Sequence, residues 1–334
     1  MSTAAQTAAT PGGRPARPRS GQVHRRADRL GDALQLGVCI FAAVLAAVTL
    51  LLVAIEVVNG SSLAISKFGL DFLTGTVWQP NPPFEEFGAA PMIFGTAVTS
   101  FSALLLGVPI AVAIALFLSL LAPAGVRAVI GPLVEMLAAI PSVILGLWGI
   151  LVLAPFVQQH VEPFLHDTLG FLPIFGEPQT TGSSVFTASL ILTIMVIPIV
   201  ASISRDLFLT VPQELKDGAS ALGATRWEMV RGVVLPTTAS GVVAASILGL
   251  GRALGEAIAV TQMIGAGTHI KASLFETGDT LASRIAAQFP GNLSQLHASS
   301  LFYLGLILLV IGLISNLIAQ WIGRRFSYKG APAR

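Results

Sequence analysis

Arg252 and Glu256 stand four residues apart in the stretch GLGRALGEAIAV, inside a long apolar run. That spacing puts both side chains on one face of a helix, close enough to pair. A charge at the centre of a membrane helix costs roughly 2.5–3.5 kcal/mol on insertion scales, so the pair needs a reason to be there. If the helix starts near Thr237 and rises about 1.5 Å per residue, Arg252 lies roughly 22 Å along it and Glu256 roughly 28 Å. Gly251 and Gly255 have small-xxx-small spacing, which predicts a close helix contact beside the charged strip. Two readings stand. One is an intrahelical salt bridge that fixes packing. The other is an anion pathway: Arg252 draws an oxyanion to its fork of N–H donors. Glu256 then positions Arg252 and keeps the ion from being held too tightly, since a pore must release what it admits.

Glu135 is the other notable acid, about one and a half turns into a third apolar segment. It reads either as a capping or packing carboxylate, or as a partner for Arg252 and a gate. Pro141 interrupts the same segment, and Pro109 and Pro198 sit inside two others. No metal site is expected. Cys39 is the single cysteine, and none of the five histidines falls in an HExxH spacing. The pattern GxxxxGK[ST] does not occur, so the chain is not expected to carry its own ATP site or to be an enzyme. Nothing suggests a nucleic-acid partner.

The elements that must hold these residues are membrane helices. Of the residues, 54% are hydrophobic and only 11% are charged, against about a quarter charged in a typical soluble domain. Six segments are long and apolar enough to span a bilayer: 33–58, 94–121, 130–157, 185–209, 237–265 and 299–323. The expected class is therefore an all-α integral membrane protein with six transmembrane helices. The apolar run of the first segment is too long for a cleaved signal peptide. Before it, residues 1–32 are Pro-, Gly- and Arg-rich and read as a disordered basic tail.

Lys and Arg set the orientation. They crowd the N-terminal tail, the loop around Arg127, the loop with Lys216, Arg226 and Arg231, and the C-terminal tail 326–334. The other side holds only Lys67, Lys271 and Arg284. Both termini are expected to be cytoplasmic, and 59–93 an external loop.

The cytoplasmic loop 211–236 is more than a connector. Pro212 suits a helix start, and Glu214 and Asp217 suit a helix N-terminus. Ala219, Leu222 and Gly223 follow at helical spacing, with Gly223 as a stop. A short helix with a small-residue face is a shape for docking into a partner's groove.

This loop resembles the EAA loop of ATP-binding-cassette importer permeases. Asp217-Gly218-Ala219 stands for E-A-A, Gly223 for the following glycine, and Val233-Val234-Leu235-Pro236 for I-x-L-P. Three further stretches, LVEMLAAIPSVILGLWG, GLGRALGEAIAVTQMIG and TLASRIAAQF, are similar to the phosphate-specific permeases of the PstC type, and the similarity runs from about Phe68 to Phe326. The resemblance implies the type I importer permease architecture, with a permease core over 94–325. It implies a second permease of the PstA type, two copies of an ATP-binding subunit, and an external phosphate-binding protein. ATP and Mg would be bound by the ATPase, with no cofactor in this chain. Asp217, Gly218, Ala219, Gly223 and Pro236 would couple to that ATPase. Arg252, Glu256 and Glu135 would line the phosphate pathway. Glu276 and Arg284, on the last external loop, would meet the binding protein. Another oxyanion (sulfate, molybdate, a phosphonate) is the alternative within the class. A proton-coupled anion symporter, with Glu256 and Glu135 as proton carriers, is the alternative outside it.

Overall fold

The computed structural model describes residues 26–325. The expected tail up to residue 25 and the expected tail 326–334 lie outside the described residues. In chain order the elements are α1 (Arg26–Phe68), α2 (Asp71–Thr74), β1 (Trp78–Gln79), β2 (Glu86–Phe87), α3 (Ala90–Leu116), α4 (Ala124–Ala138) and α5 (Ser142–Trp148). They continue with α6 (Ala154–Phe156), α7 (Glu162–Leu169), α8 (Val185–Thr210), α9 (Gln213–Ala221), α10 (Arg226–Met229), α11 (Leu235–Gly255), α12 (Ile258–Met263), α13 (Leu281–Gln288) and α14 (Gln295–Arg325). Short π-helical turns join α5 to α6, α6 to α7, and α10 to α11.

Six helical stretches are long and apolar enough to cross a membrane: Gly31–Phe68, Ala90–Leu121, Ser142–Leu169, Val185–Thr210, Arg226–Gly255 and Gln295–Gly323. Their outer surfaces carry exposed Leu50, Phe101, Leu105 and Leu151, the inverse of a water-facing surface and what hydrocarbon requires.

Several boundaries differ from the sequence reading. Residues 26–32 and 59–68 are helical rather than tail and loop. Asn59-Gly60 is a turn signal in the sequence, yet the helix runs through it, with Gly60 packed too close to the Phe302 ring for a side chain, and ends before Gly69, whose φ of +56° suits glycine. The third span is displaced towards the C-terminus. Residues 124–138 form the separate helix α4, and the chain turns at Ile140-Pro141 before α5. Pro141 disfavours helical geometry in the residue before it, which accounts for the break. Pro109 and Pro198, by contrast, lie inside continuous helices. The fifth span starts early, at Arg226, and α11 ends at Gly255 rather than running on to 265.

By contacts the chain divides into a unit ending at Val53 and one beginning at Ala54. In the first, the described apolar side chains of α1 are exposed. In the second, α3 and α8 form the most extensive helix pair, with α11 against both. At one end of this unit, Val185 of α8 donates its N–H to the carbonyl of Glu276. Gly95 of α3 there lies so close to the Asp279 carbonyl that a side chain would not fit. The hairpin β1–β2, which the sequence reading did not anticipate, packs at this end through Trp78 and Phe87 onto α13 and α14. At the other end, Phe208, Val211 and Val234 close a core under α9.

Candidate functional site

The chain breaks where the charge pair sits. α11 ends at Gly255, Glu256 is extended (φ −74°, ψ 115°), and α12 starts at Ile258. Arg252 lies in the last turn of α11, where a cation complements the helix dipole. Its Nη2 is 3.3 Å from Glu256 Oε2. Glu256 Oε1 accepts a hydrogen bond from the Ala259 N–H at 3.2 Å, which satisfies an end donor of α12. The carboxylate thus bridges two half-helices. The ion pair closes across a helix end, not along one continuous helix as the spacing suggested. The two members differ in access: the Glu256 side chain is 3% exposed and that of Arg252 43%. The buried acid is fixed, and the cation is presented.

Gly251 and Gly255 do not make the expected tight contact. A side-chain carbon at either would meet nothing within 4 Å. With Gly312 and Asn316 of α14 they line an open cleft of about 490 Å³.

Glu135 is not a partner of Arg252 in this structure. It lies on α4, before the third span, and pairs with Arg205 of α8 at 2.9 Å. The displacement of the third span is the reason, because it takes Glu135 out of the membrane helix and sets it beside the last turns of α8. Sequence reasoning placed Arg205 only at a loop edge.

The 211–236 region folds as two helices with a sharp turn. Pro212 is the N-cap of α9. Gly223 has a φ of +84°. Its N–H bonds to the Ser220 carbonyl, and the Ala224 N–H to the Ala219 carbonyl, the pairing that ends a helix on a left-handed glycine. Thr225 then caps α10, with Glu228 returning a bond to the Thr225 N–H at 2.8 Å. Asp217 accepts from Gln213 at 2.9 Å on the exposed side. Gly218 and Gly223 are open to space, Leu222 is 91% exposed, and Trp227 of α10 is exposed too. Pro236 is not in a loop; it sits in the first turn of α11. So α9 offers small residues and an unpartnered leucine at its C-terminal end.

Arg284 is a correction. It was expected on a docking surface, but the structure buries it, 5% exposed. Its Nε lies 2.6 Å from Asp279 Oδ2, and its guanidinium lies over the Trp78 ring at 5.7 Å. Asp279 also accepts from Ser283 Oγ and from the Thr280 N–H. Burial raises the Asp279 carboxyl above its ordinary range despite the neighbouring cation, and burial lowers the Arg284 guanidinium. The pair braces α13 against the hairpin. Its spacing gave no sign of this, because Asp279 precedes the N-cap and reaches Arg284 across the helix start. Glu276 pairs with Lys271 at 2.7 Å and stays partly accessible. Among the described residues no group of His, Cys, Asp and Glu is arranged to hold a metal.

Comparison with known proteins shows the family and the fold. Residues 107–328 match the family described as the inner membrane component of binding-protein-dependent transport systems. The chain is 43% identical over 297 residues to the phosphate transport system permease protein PstC of Mesorhizobium japonicum, covering 88% of this chain and 90% of that one. It is 45% identical over 289 residues to the protein of the same name in Pasteurella multocida, covering 84% and 89%. Among solved structures it is similar to a chain of a bacterial alginate ABC transporter crystallised with an alginate-bound periplasmic protein. There the TM-score is 0.59 at 20% identity, over 91% of this chain and all (100%) of the other, a likeness of fold.

Proposed function

The chain belongs to the inner membrane components of binding-protein-dependent transport systems, and we propose that it forms one half of the pathway of an ATP-driven inorganic phosphate importer. The observation that carries the phosphate reading is the identity of 43% and 45% to two phosphate permeases over more than four fifths of each chain. It is a multi-pass inner membrane protein with six spans.

The other half comes from a second permease of related fold, and energy from an ATP-binding subunit that carries ATP and Mg. The ATPase seats on α9. Its groove takes the open face at Gly218, Ala219 and Gly223 and the exposed Leu222, with Asp217 at the edge. This puts α9 and both termini on the cytoplasmic side, in line with the Lys and Arg bias. The hairpin end faces outward to a phosphate-binding protein, where Glu276 is accessible and Arg284 supports the surface from beneath.

In the pathway, Arg252 offers part of its guanidinium to a passing dianion while Glu256 fixes its position. The carboxylate also lowers the net field at the guanidinium, so a phosphate held there can leave. Glu135 and Arg205 tie α4 to α8 and act on the pathway through the position of α8.

The test is uptake in cells stripped of their own phosphate transporters and given this chain with its partners. Labelled phosphate should enter, excess unlabelled phosphate should abolish the signal, and excess sulfate or molybdate should not. Competition by sulfate as strong as by phosphate would overturn the assignment.

A further inference from the structure

Lys216 belongs to α9 but points away from its docking face. It is 8% exposed, and no carboxylate among the described residues lies within salt-bridge distance of it. Its one hydrogen bond, to the Phe208 carbonyl, is long at 3.4 Å. An ammonium has three donors, so two lack a protein acceptor, and a buried cation without a counter-charge is costly. Lys216 lines a cleft of about 610 Å³ whose walls also carry Arg127 and Arg226. The Arg127 guanidinium donates to the Ser119 carbonyl at 2.9 Å, and Arg226 is exposed and has no ion pair among the described residues. Against these three cations the cleft has one carboxylate, Asp217, already engaged by Gln213.

The lining also has an apolar part. Leu121 and Leu209 line the cleft and are half exposed. They mark the ends of the second and fourth spans, Ala90–Leu121 and Val185–Thr210. The cleft therefore opens at the level where hydrocarbon gives way to headgroups, and its lining combines cations with half-exposed leucines at span ends. Basic pockets between membrane helices at this depth suit acidic headgroups.

We propose that this cleft binds the phosphate group of an anionic phospholipid, with the headgroup on Lys216, Arg127 and Arg226 and the first acyl carbons along Leu121 and Leu209. The lipid would form the underside on which α9 rests. Nothing in the proposal depends on what the transporter carries. Free inorganic phosphate shares the binding chemistry but lacks the acyl chains, so it has no use for the apolar part of the lining.

The test uses the whole transporter in nanodiscs of phosphatidylcholine, with and without phosphatidylglycerol. The readouts are the thermal unfolding midpoint and the phospholipid retained after exchange into detergent. Phosphatidylglycerol should raise the midpoint, and retained lipid should be enriched in it. Arg226→Gln, at an exposed position, should weaken that retention roughly fivefold, as expected for about 1 kcal/mol per cation. Lys216→Met should abolish the enrichment, and Lys216→Arg should restore it. Inorganic phosphate added to phosphatidylcholine discs should leave the midpoint unchanged. The proposal is overturned if inorganic phosphate alone stabilises as much as phosphatidylglycerol. It is equally overturned if Arg226→Gln leaves lipid enrichment intact.

Discussion

Glu256 has two jobs at once: it holds a guanidinium and it caps α12 through the Ala259 N–H. Glu256→Gln separates them. A glutamine carbonyl still accepts from Ala259, so assembly should survive while phosphate uptake falls. Arg252→Gln should nearly abolish uptake without loss of the complex. The double glutamine variant decides between a packing bridge and an anion site. It leaves no unpaired buried charge, so a mere bridge would regain activity, whereas an anion site stays inactive. Uptake near wild type in the double variant would rule out a pathway role for Arg252. Asp279 and Arg284 give a separate prediction. Arg284→Gln leaves a buried carboxylate uncompensated, which costs about 3–5 kcal/mol. A marked fall in the unfolding midpoint should follow, and Asp279→Asn added to it should restore part of the loss. An unchanged midpoint in the single variant would show the pair to be idle. The spacing of Arg252 and Glu256 made their pairing legible in the sequence. The burial of Arg284 was not, because it depends on Trp78 of the distant hairpin and on Asp279 folding back across the start of α13.

At the scale of elements, α9 ends where a glycine allowed it to be read. Gly223 has positive φ, and no atoms crowd the position where its side chain would start, so backbone strain and bulk can be tested apart. Gly223→Asn tolerates the left-handed conformation and should keep ATPase copurification. Gly223→Val, strained by roughly 1–2 kcal/mol and branched, should lose it while the spans still insert. Leu222→Asp should also lose the ATPase, since the side chain is exposed and available to a partner. Full copurification with both Gly223→Val and Leu222→Asp would place the ATPase seat elsewhere. The break at Glu256 was harder to foresee. No proline marks it, and ALGEAIAV reads as helix by propensity. Only the carboxylate, which serves α12 as a cap, and the packing of α12 on α5 at Gly146 reveal it. The hairpin escaped notice for a similar reason: its strands are two residues each and are held by side chains from α13 and α14.

At the scale of the molecule, six apolar spans carry the open helix α9 at one end and a braced cap at the other, the arrangement on which the proposed importer role is built. Composition and apolar runs made the number of spans legible. The displaced third span was not, because apolar α4 and α5 merge into one hydrophobic stretch on paper and only Ile140-Pro141 divides them. The account's central claim is that ATP, not an ion gradient, drives phosphate inward through this chain. The most direct measurement is labelled-phosphate uptake into proteoliposomes holding this permease, its partner permease and the ATPase, with the binding protein outside and ATP sealed inside. Uptake should require both ATP and the binding protein, and should persist when an ionophore collapses the proton gradient. Uptake that follows an imposed proton gradient without ATP would contradict the account.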